Sequence, residues 1–140
     1  MKKQFVKTVI SGKTYTIDRN ANYDGWVDSD RGGNDYYALA VFGGMKNARK
    51  CLDTFIHECL HACDDGATEK LVVQTAAKSA RMLWSQGLRY FEKCRPGRPS
   101  ILPELTLLNA LSESKWDELK IGRTASDIAA ALIKVGYRLK

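Results

Sequence analysis

The sequence predicts an α+β fold, in which a small antiparallel or mixed sheet from the first third of the chain packs against two long helices. Short segments rich in β-branched and aromatic residues, typical of strands, lie before residue 43. Between residues 45 and 90, apolar residues recur at spacings of three and four, as in amphipathic helices. Further helical patterns follow a segment rich in proline and glycine, so additional C-terminal helices are expected.

The strands come first in the chain. Residues 5–10 and 14–17 predict a β-hairpin, with Ser11-Gly12-Lys13 as its turn. Residues 20–35 are rich in Asn, Asp and Gly and predict a loop. Residues 36–42 are largely apolar and predict a third strand that is buried on both faces.

Four helices are predicted after the strands, over residues 45–63, 68–90, 102–119 and 126–135. The first has a clear apolar stripe and is followed by Asp64-Asp65-Gly66, which predicts a turn. In the second, Gly87 is a candidate for the effective end of the helix. Thr124 and Asp127 have the spacing that can cap the start of the last helix.

A length of 140 residues fits one domain, or one domain with a small appendage. The clearest linker is Arg95-Pro96-Gly97-Arg98-Pro99. We therefore divide the chain into a core (1–94), a linker (95–99) and a helical C-terminal appendage (100–140).

The chain has neither an apolar run near the roughly 20 residues of a membrane span nor a recognisable secretory signal. These features predict a cytoplasmic protein with no membrane partner. In that compartment the four cysteines are not expected to form disulfides.

Charge is unevenly distributed along the chain. Residues 1–69 carry nine basic and ten acidic side chains, and residues 70–140 carry 13 basic and six acidic, giving net charges of −1 and +7. The basic half could contact a phosphate backbone, or it could simply be a solvated surface. Residues 122–132 faintly resemble a helix-turn-helix element, and the phosphate contacts would then be Arg123, Lys134, Arg138 and Lys140. The alternative is that the C-terminal helices cap the core.

The motif that carries chemistry is His57-Glu58-Cys59-Leu60-His61, an HExxH sequence within the first helix. Residues four apart lie about 40° apart around a helix, so both histidines face the same way and can bind one zinc ion. Glu58 lies beside this position, where it can take a proton from a water molecule activated by the metal and pass it to a leaving amine.

A catalytic zinc site has three protein ligands and one open position, so one ligand is missing from the motif. The chain has only two histidines, and both are in the motif. Glu69 follows the turn and is the favoured third ligand, with Asp64, Asp65 or a more distant residue as alternatives. Cys59 lies about 200° from His57 around the helix, so Cys59 and Cys63 are interpreted as buried packing residues.

Residues 20–90 resemble the small zincin-like metallopeptidases of bacteriophages. The resemblance is carried by Tyr23-Asp24-Gly25-Trp26, residues 28–42, the His-Glu-x-Leu-His-Ala sequence of residues 57–62, and Glu69 with the helix after it. It implies a minimal zincin, with a small sheet, an active-site helix and a second helix that brings the acidic ligand. By this resemblance His57, His61 and Glu69 bind zinc and Glu58 is the general base.

The function expected is therefore that of a zinc metallopeptidase acting on a peptide or protein substrate, in the host bacterial cytoplasm if a phage encodes it. In zincins a strand beside the active helix often binds the substrate, and residues 36–42 are the candidate. Tyr36, Tyr37 and Tyr90 are candidates to stabilise an oxyanion, and the sequence selects none of them. The alternatives are a nucleic-acid-associated protein and a host-interaction protein built on the same scaffold.

Overall fold

The computed structural model describes residues 6–21, 25–28, 37–42, 48–90, 101–114 and 116–139, and these residues form an α+β fold. Its larger sheet contains four strands: β1 (Val6–Ile10), β2 (Lys13–Ala21), β3 (Gly25–Asp28) and β4 (Tyr37–Phe42). The order is β1-β2-β4-β3, with β2 and β4 parallel and the other two pairs antiparallel. The sheet is therefore mixed, as predicted.

The predicted hairpin is confirmed by the pairing of β1 with β2. Its turn uses Ser11 and Gly12, both with positive φ values (53° and 77°), a conformation that glycine adopts at little cost. The backbone N–H of Ser11 donates a hydrogen bond to Asp127 (2.8 Å), which ties this turn to the C-terminal part of the chain.

The loop predicted over residues 20–35 is wrong, and the strand predicted over residues 36–42 is confirmed for residues 37–42. The substrate-binding role expected for that strand does not fit its position in the sheet. The predicted loop of residues 20–35 contains the end of β2 and all of β3, since β3 gains its strand conformation from pairing with β4. The strand predicted over residues 36–42 is described as β4, and it pairs with β2 on one side and β3 on the other. Its backbone groups therefore bond within the sheet, so β4 cannot offer a free edge to a substrate.

Two helices follow the sheet: α1 (Ala48–Cys63) and α2 (Glu69–Ser85). The predicted start of α1, residues 45–47, lies outside the described residues. The second helix ends at Ser85, just before Gly87, the residue that the sequence gave as a candidate for its effective end. Gly87 takes a φ of 92°, and residues 88–90, predicted as helix, instead form strand β5 (Leu88–Tyr90). Strand β5 pairs with β6 (Tyr137–Leu139), a strand that the sequence analysis did not predict.

The C-terminal helices are α3 (Ile101–Ser112) and α4 (Glu118–Lys134). Helix α4 begins eight residues before the predicted start at 126, with Asp117 as its N-cap accepting a hydrogen bond from Leu119 N–H (3.0 Å). Thr124 is therefore inside the helix and does not cap it. Residues 122–132 also lie within this single helix, so the helix-turn-helix interpretation of that stretch is wrong.

Both parts of the chain contribute to one cluster of buried apolar side chains. The sheet supplies Ile10, Tyr15 and Ile17, while α4 and β6 supply side chains such as Leu132 and Tyr137. This packing agrees with the interpretation that the C-terminal helices cap the core. Residues 95–99, the predicted linker, lie outside the described part of the chain. Among the described helices, none is both long and apolar enough to span a membrane.

Candidate metal centre

Helix α1 brings the two histidines of the motif together. Its apolar side, which includes Leu52, Phe55 and Ile56, is buried in the core, and the histidines lie at its partly exposed boundary. The Nε2 atoms of His57 and His61 are 3.1 Å apart, and their ring centroids are 4.7 Å apart. The spacing of four residues therefore produces the convergence predicted from the sequence.

Glu69 completes the group from the first turn of α2. Thr68 caps this helix by accepting a hydrogen bond from Leu71 N–H (3.2 Å), which fixes where the helix begins. The two carboxylate oxygens of Glu69 lie 3.1 Å from His57 Nε2 and 2.9 Å from His61 Nε2. Ligand atoms of these three side chains all lie within 4.8 Å of one another, and they are the group that could hold a metal ion among the described residues.

The alternative ligands are not part of this group. The Asp64 side chain accepts a hydrogen bond from Gly66 N–H (3.0 Å) and forms an ion pair with Lys120 (3.1 Å), so it is engaged in the turn and with α4. Asp65 is exposed.

The tyrosine candidates for an oxyanion contact are not brought to this group either. Tyr37 packs against Tyr15, and Tyr90 packs against Tyr137. Neither Tyr37 nor Tyr90 lines the cleft beside Glu58 that is described below. Tyr36 lies outside the described residues.

The side chain of Glu58 is buried beside the two histidines. Only 8% of the residue is exposed. Burial, and to a smaller extent the negative charge of Glu69, raise the pKa of Glu58 to about 7. A cation bound by His57, His61 and Glu69 would act in the opposite direction, because a nearby positive charge favours the carboxylate.

The surroundings of His57 also change the pKa of its imidazole. Burial lowers the pKa of His57, and Glu69 opposes this effect. Burial therefore favours the neutral ring, which is the form that can offer a nitrogen lone pair to a metal ion.

Gly25 allows β3 to approach α1 next to Glu58. This role of Gly25 was not predicted from the sequence. A Cβ atom at position 25 would lie 2.8 Å from Thr54 Cγ2 and 3.1 Å from Glu58 Oε1. Glycine within a strand often marks such a close approach, so a signal was present in the sequence. Because residues 20–35 were predicted to be a loop, the sequence did not indicate that Gly25 lies next to Glu58.

We expect Gly25→Ala to lower the free energy of unfolding by about 1–3 kcal/mol, because the added methyl group overpacks the contact with Thr54 and Glu58. Gly122→Ala is the matched control. A Cβ atom at 122 has no neighbour within 4 Å, and Gly122 is an exposed position inside α4, so alanine should stabilise by about 0.5–1 kcal/mol. Urea unfolding of both variants tests this pair, and equal stability of Gly25→Ala and wild type would contradict the close approach.

The cysteines of α1 pack as predicted. Cys59 and Cys63 are buried and unbonded, and burial raises the pKa of both thiols, that of Cys63 to about 12. Neither cysteine belongs to the group that could hold a metal ion. Cys94 lies outside the described residues.

Where the structure describes them, the basic residues proposed to contact nucleic acid lie on α4 and in β6. Arg123 is exposed on α4, and Lys134 donates a hydrogen bond to the carbonyl of Lys7 (3.3 Å). Arg138 lies in β6 opposite Arg89 of β5. Lys140 lies outside the described residues, and contact with nucleic acid stays a prediction.

Comparisons of the chain with protein-family models, with curated proteins and with solved structures each found no match.

Proposed function

We propose that this protein is a zinc metallopeptidase that hydrolyses peptide bonds. The observation that carries the proposal is the convergence of His57, His61 and Glu69, with Glu58 next to them. Two imidazoles and one carboxylate are the ligands of a known class of catalytic zinc site. The proposal extends to a minimal zincin-like fold, supported by the order of sheet, HExxH helix and Glu69-bearing helix along the chain.

The donor atoms fit a zinc ion in both type and spacing. Four ligands around a tetrahedral zinc, with bonds of about 2.0–2.1 Å, lie about 3.3 Å from one another. One oxygen of Glu69 lies 3.1 Å from His57 Nε2 and the other lies 2.9 Å from His61 Nε2, so the three side chains approach the spacing of a zinc site. Magnesium and calcium prefer oxygen ligands, so a site with two nitrogen donors favours zinc or a similar transition metal.

When bound, zinc supplies Lewis acidity, polarising a carbonyl group and lowering the pKa of water. Glu58 supplies the proton transfers. As the oxygen of water forms a bond to the carbonyl carbon, the carboxylate of Glu58 accepts one proton from that water molecule. When the C–N bond breaks, Glu58 returns that proton to the leaving nitrogen, so the carboxylate is regenerated.

Strand β3 is the candidate to hold the substrate backbone. It is the edge strand of the sheet in the described part of the chain, because β4 is its strand partner there. Gly25 brings this strand against Glu58 and Thr54. An extended peptide added to this edge of the sheet would therefore pass beside the general base.

Removal of the metal should abolish cleavage. We expect the protein, after dialysis against a chelator, to lose cleavage of an unfolded protein substrate, and to regain it with about one equivalent of Zn²⁺ but not with Mg²⁺. Mass spectrometry of the new termini would establish that peptide bonds are broken. Cleavage that survives complete removal of the metal would contradict the proposal.

A further inference from the structure

A cleft of about 260 Å³ opens directly beside the catalytic residues proposed above. His57 and Glu58 form part of its wall. The other residues that line it come from α1, α2 and β3: Lys50, Asp53, Thr54, Val73, Ala77 and Gly25. A substrate whose peptide bond lies at Glu58 would therefore have one of its adjacent side chains next to this cleft.

The size of the cleft suits one side chain. Clefts that enclose whole drug-sized ligands are typically about 300–1,000 Å³, so this cleft is below that range. It remains open because small residues line it. Gly25 has no side chain, and Ala77 contributes only a methyl group. A larger residue at 77 would occupy the space directly.

The chemistry of the wall favours an aliphatic side chain. Helix α2 contributes Val73 and Ala77, and 47% of Val73 is exposed, so an apolar partner would remove this surface from water. An acidic side chain would be repelled by Glu58 and Asp53. A basic side chain would meet these two carboxylates and also Lys50, so the charges of the wall exclude an acidic side chain, and the preference for an aliphatic over a basic one rests on the apolar contact with Val73 and Ala77. Lys50 and Asp53 are three residues apart on α1 and so lie close together, with opposite charges.

We propose that this cleft selects substrates with a medium-sized aliphatic side chain, such as leucine, next to the bond that is cleaved, and that Ala77 and Val73 set the size limit. This inference rests on the proposed function. Ala77 and Val73 determine specificity by shape and take no part in the proton transfers. One methylene group in an apolar pocket changes discrimination about 10–200-fold, so the preference should be easily measurable.

The test is binding of hydroxamates to the zinc-loaded full chain by calorimetry, which requires no turnover. Acetohydroxamate, which has no side chain, reports the metal site alone. The N-acetylated hydroxamates of glycine, leucine, phenylalanine, aspartate and lysine report the cleft. In the wild type we expect the leucine compound to bind at least about tenfold more tightly than the glycine compound.

Ala77→Leu should remove this preference while acetohydroxamate still binds, because the new side chain fills the cleft but leaves the ligands intact. Val73→Ala should move the optimum towards phenylalanine. Gln74→Leu, at an exposed position on α2 that does not line the cleft, is the matched control and should behave like the wild type.

Two results would overturn the inference separately from the metal site. In the first, the wild type binds the lysine or aspartate compound most tightly or shows no preference. In the second, the Ala77→Leu variant keeps the preference for the leucine compound. Both results count only if acetohydroxamate still binds. Failure of zinc-loaded protein to bind acetohydroxamate would instead overturn the proposed catalytic site, and the cleft assignment with it.

Discussion

Glu58→Gln is expected to lower the rate of peptide cleavage by about 10²–10⁴-fold while the protein still binds zinc. Glutamine has nearly the same shape as glutamate, but its amide cannot accept and return the proton. Glu58 is not among the three side chains proposed to bind the metal, so the metal content should stay at that of the wild type. The measurement is the initial rate of cleavage per zinc-loaded chain.

Glu118→Gln is the matched control for this experiment. It makes the same chemical change at an exposed position in the first turn of α4, in the C-terminal part of the chain, and should leave the rate unchanged. Because Glu58 is packed against the position of Gly25, circular dichroism of the variant should accompany the assay. An unchanged rate in folded Glu58→Gln protein would show that another group is the base.

His61→Ala is expected to remove the metal. The wild type, purified without added metal, should contain about one zinc per chain by mass spectrometry, and the variant should contain almost none. The physical reason is that two remaining donors, His57 and Glu69, cannot complete a catalytic site that needs three protein ligands. Glu69→Ala should have the same effect for the same reason.

Asp65→Ala separates this result from a general effect of altering the region. Asp65 is the exposed carboxylate of the turn between α1 and α2, and it lies outside the group proposed to bind the metal, so zinc should be retained. Bound zinc should also raise the unfolding temperature of the wild type but not that of His61→Ala, because a ligand that binds only the folded state stabilises it. No zinc in the wild type, even after reconstitution, would contradict the metal site. It would favour the alternative that the basic C-terminal half contacts nucleic acid.

The arrangement of charge around Glu58 connects these two experiments. Without metal, the buried carboxyl of Glu58 faces the negative charge of Glu69, and its pKa is raised to about 7. A bound cation would offset the charge of Glu69 and favour the ionised base. Burial is the main cause of the raised pKa of Glu58, and Glu69, one of the proposed metal ligands, adds to it.

The sequence by itself determined the local features of this protein. The apolar spacing predicted α1, and the positions of His57 and His61 within it fixed their common face, because helix geometry depends only on separation along the chain. Glu69 was favoured as the third member of the group because it follows closely after the turn that ends α1. Their convergence in the structure agrees with that prediction.

Only the tertiary structure decided the features that depend on contacts between distant segments. Residues 25–28 lie in a segment with the composition of a loop and form β3 because β4 pairs with them, and residues 88–90 form a strand because β6 pairs with them. The contact of Gly25 with Glu58 and the cleft between α1, α2 and β3 arise in the same way. Strand pairing and packing between elements are set by partners far away in the chain, and local composition and periodicity do not encode them.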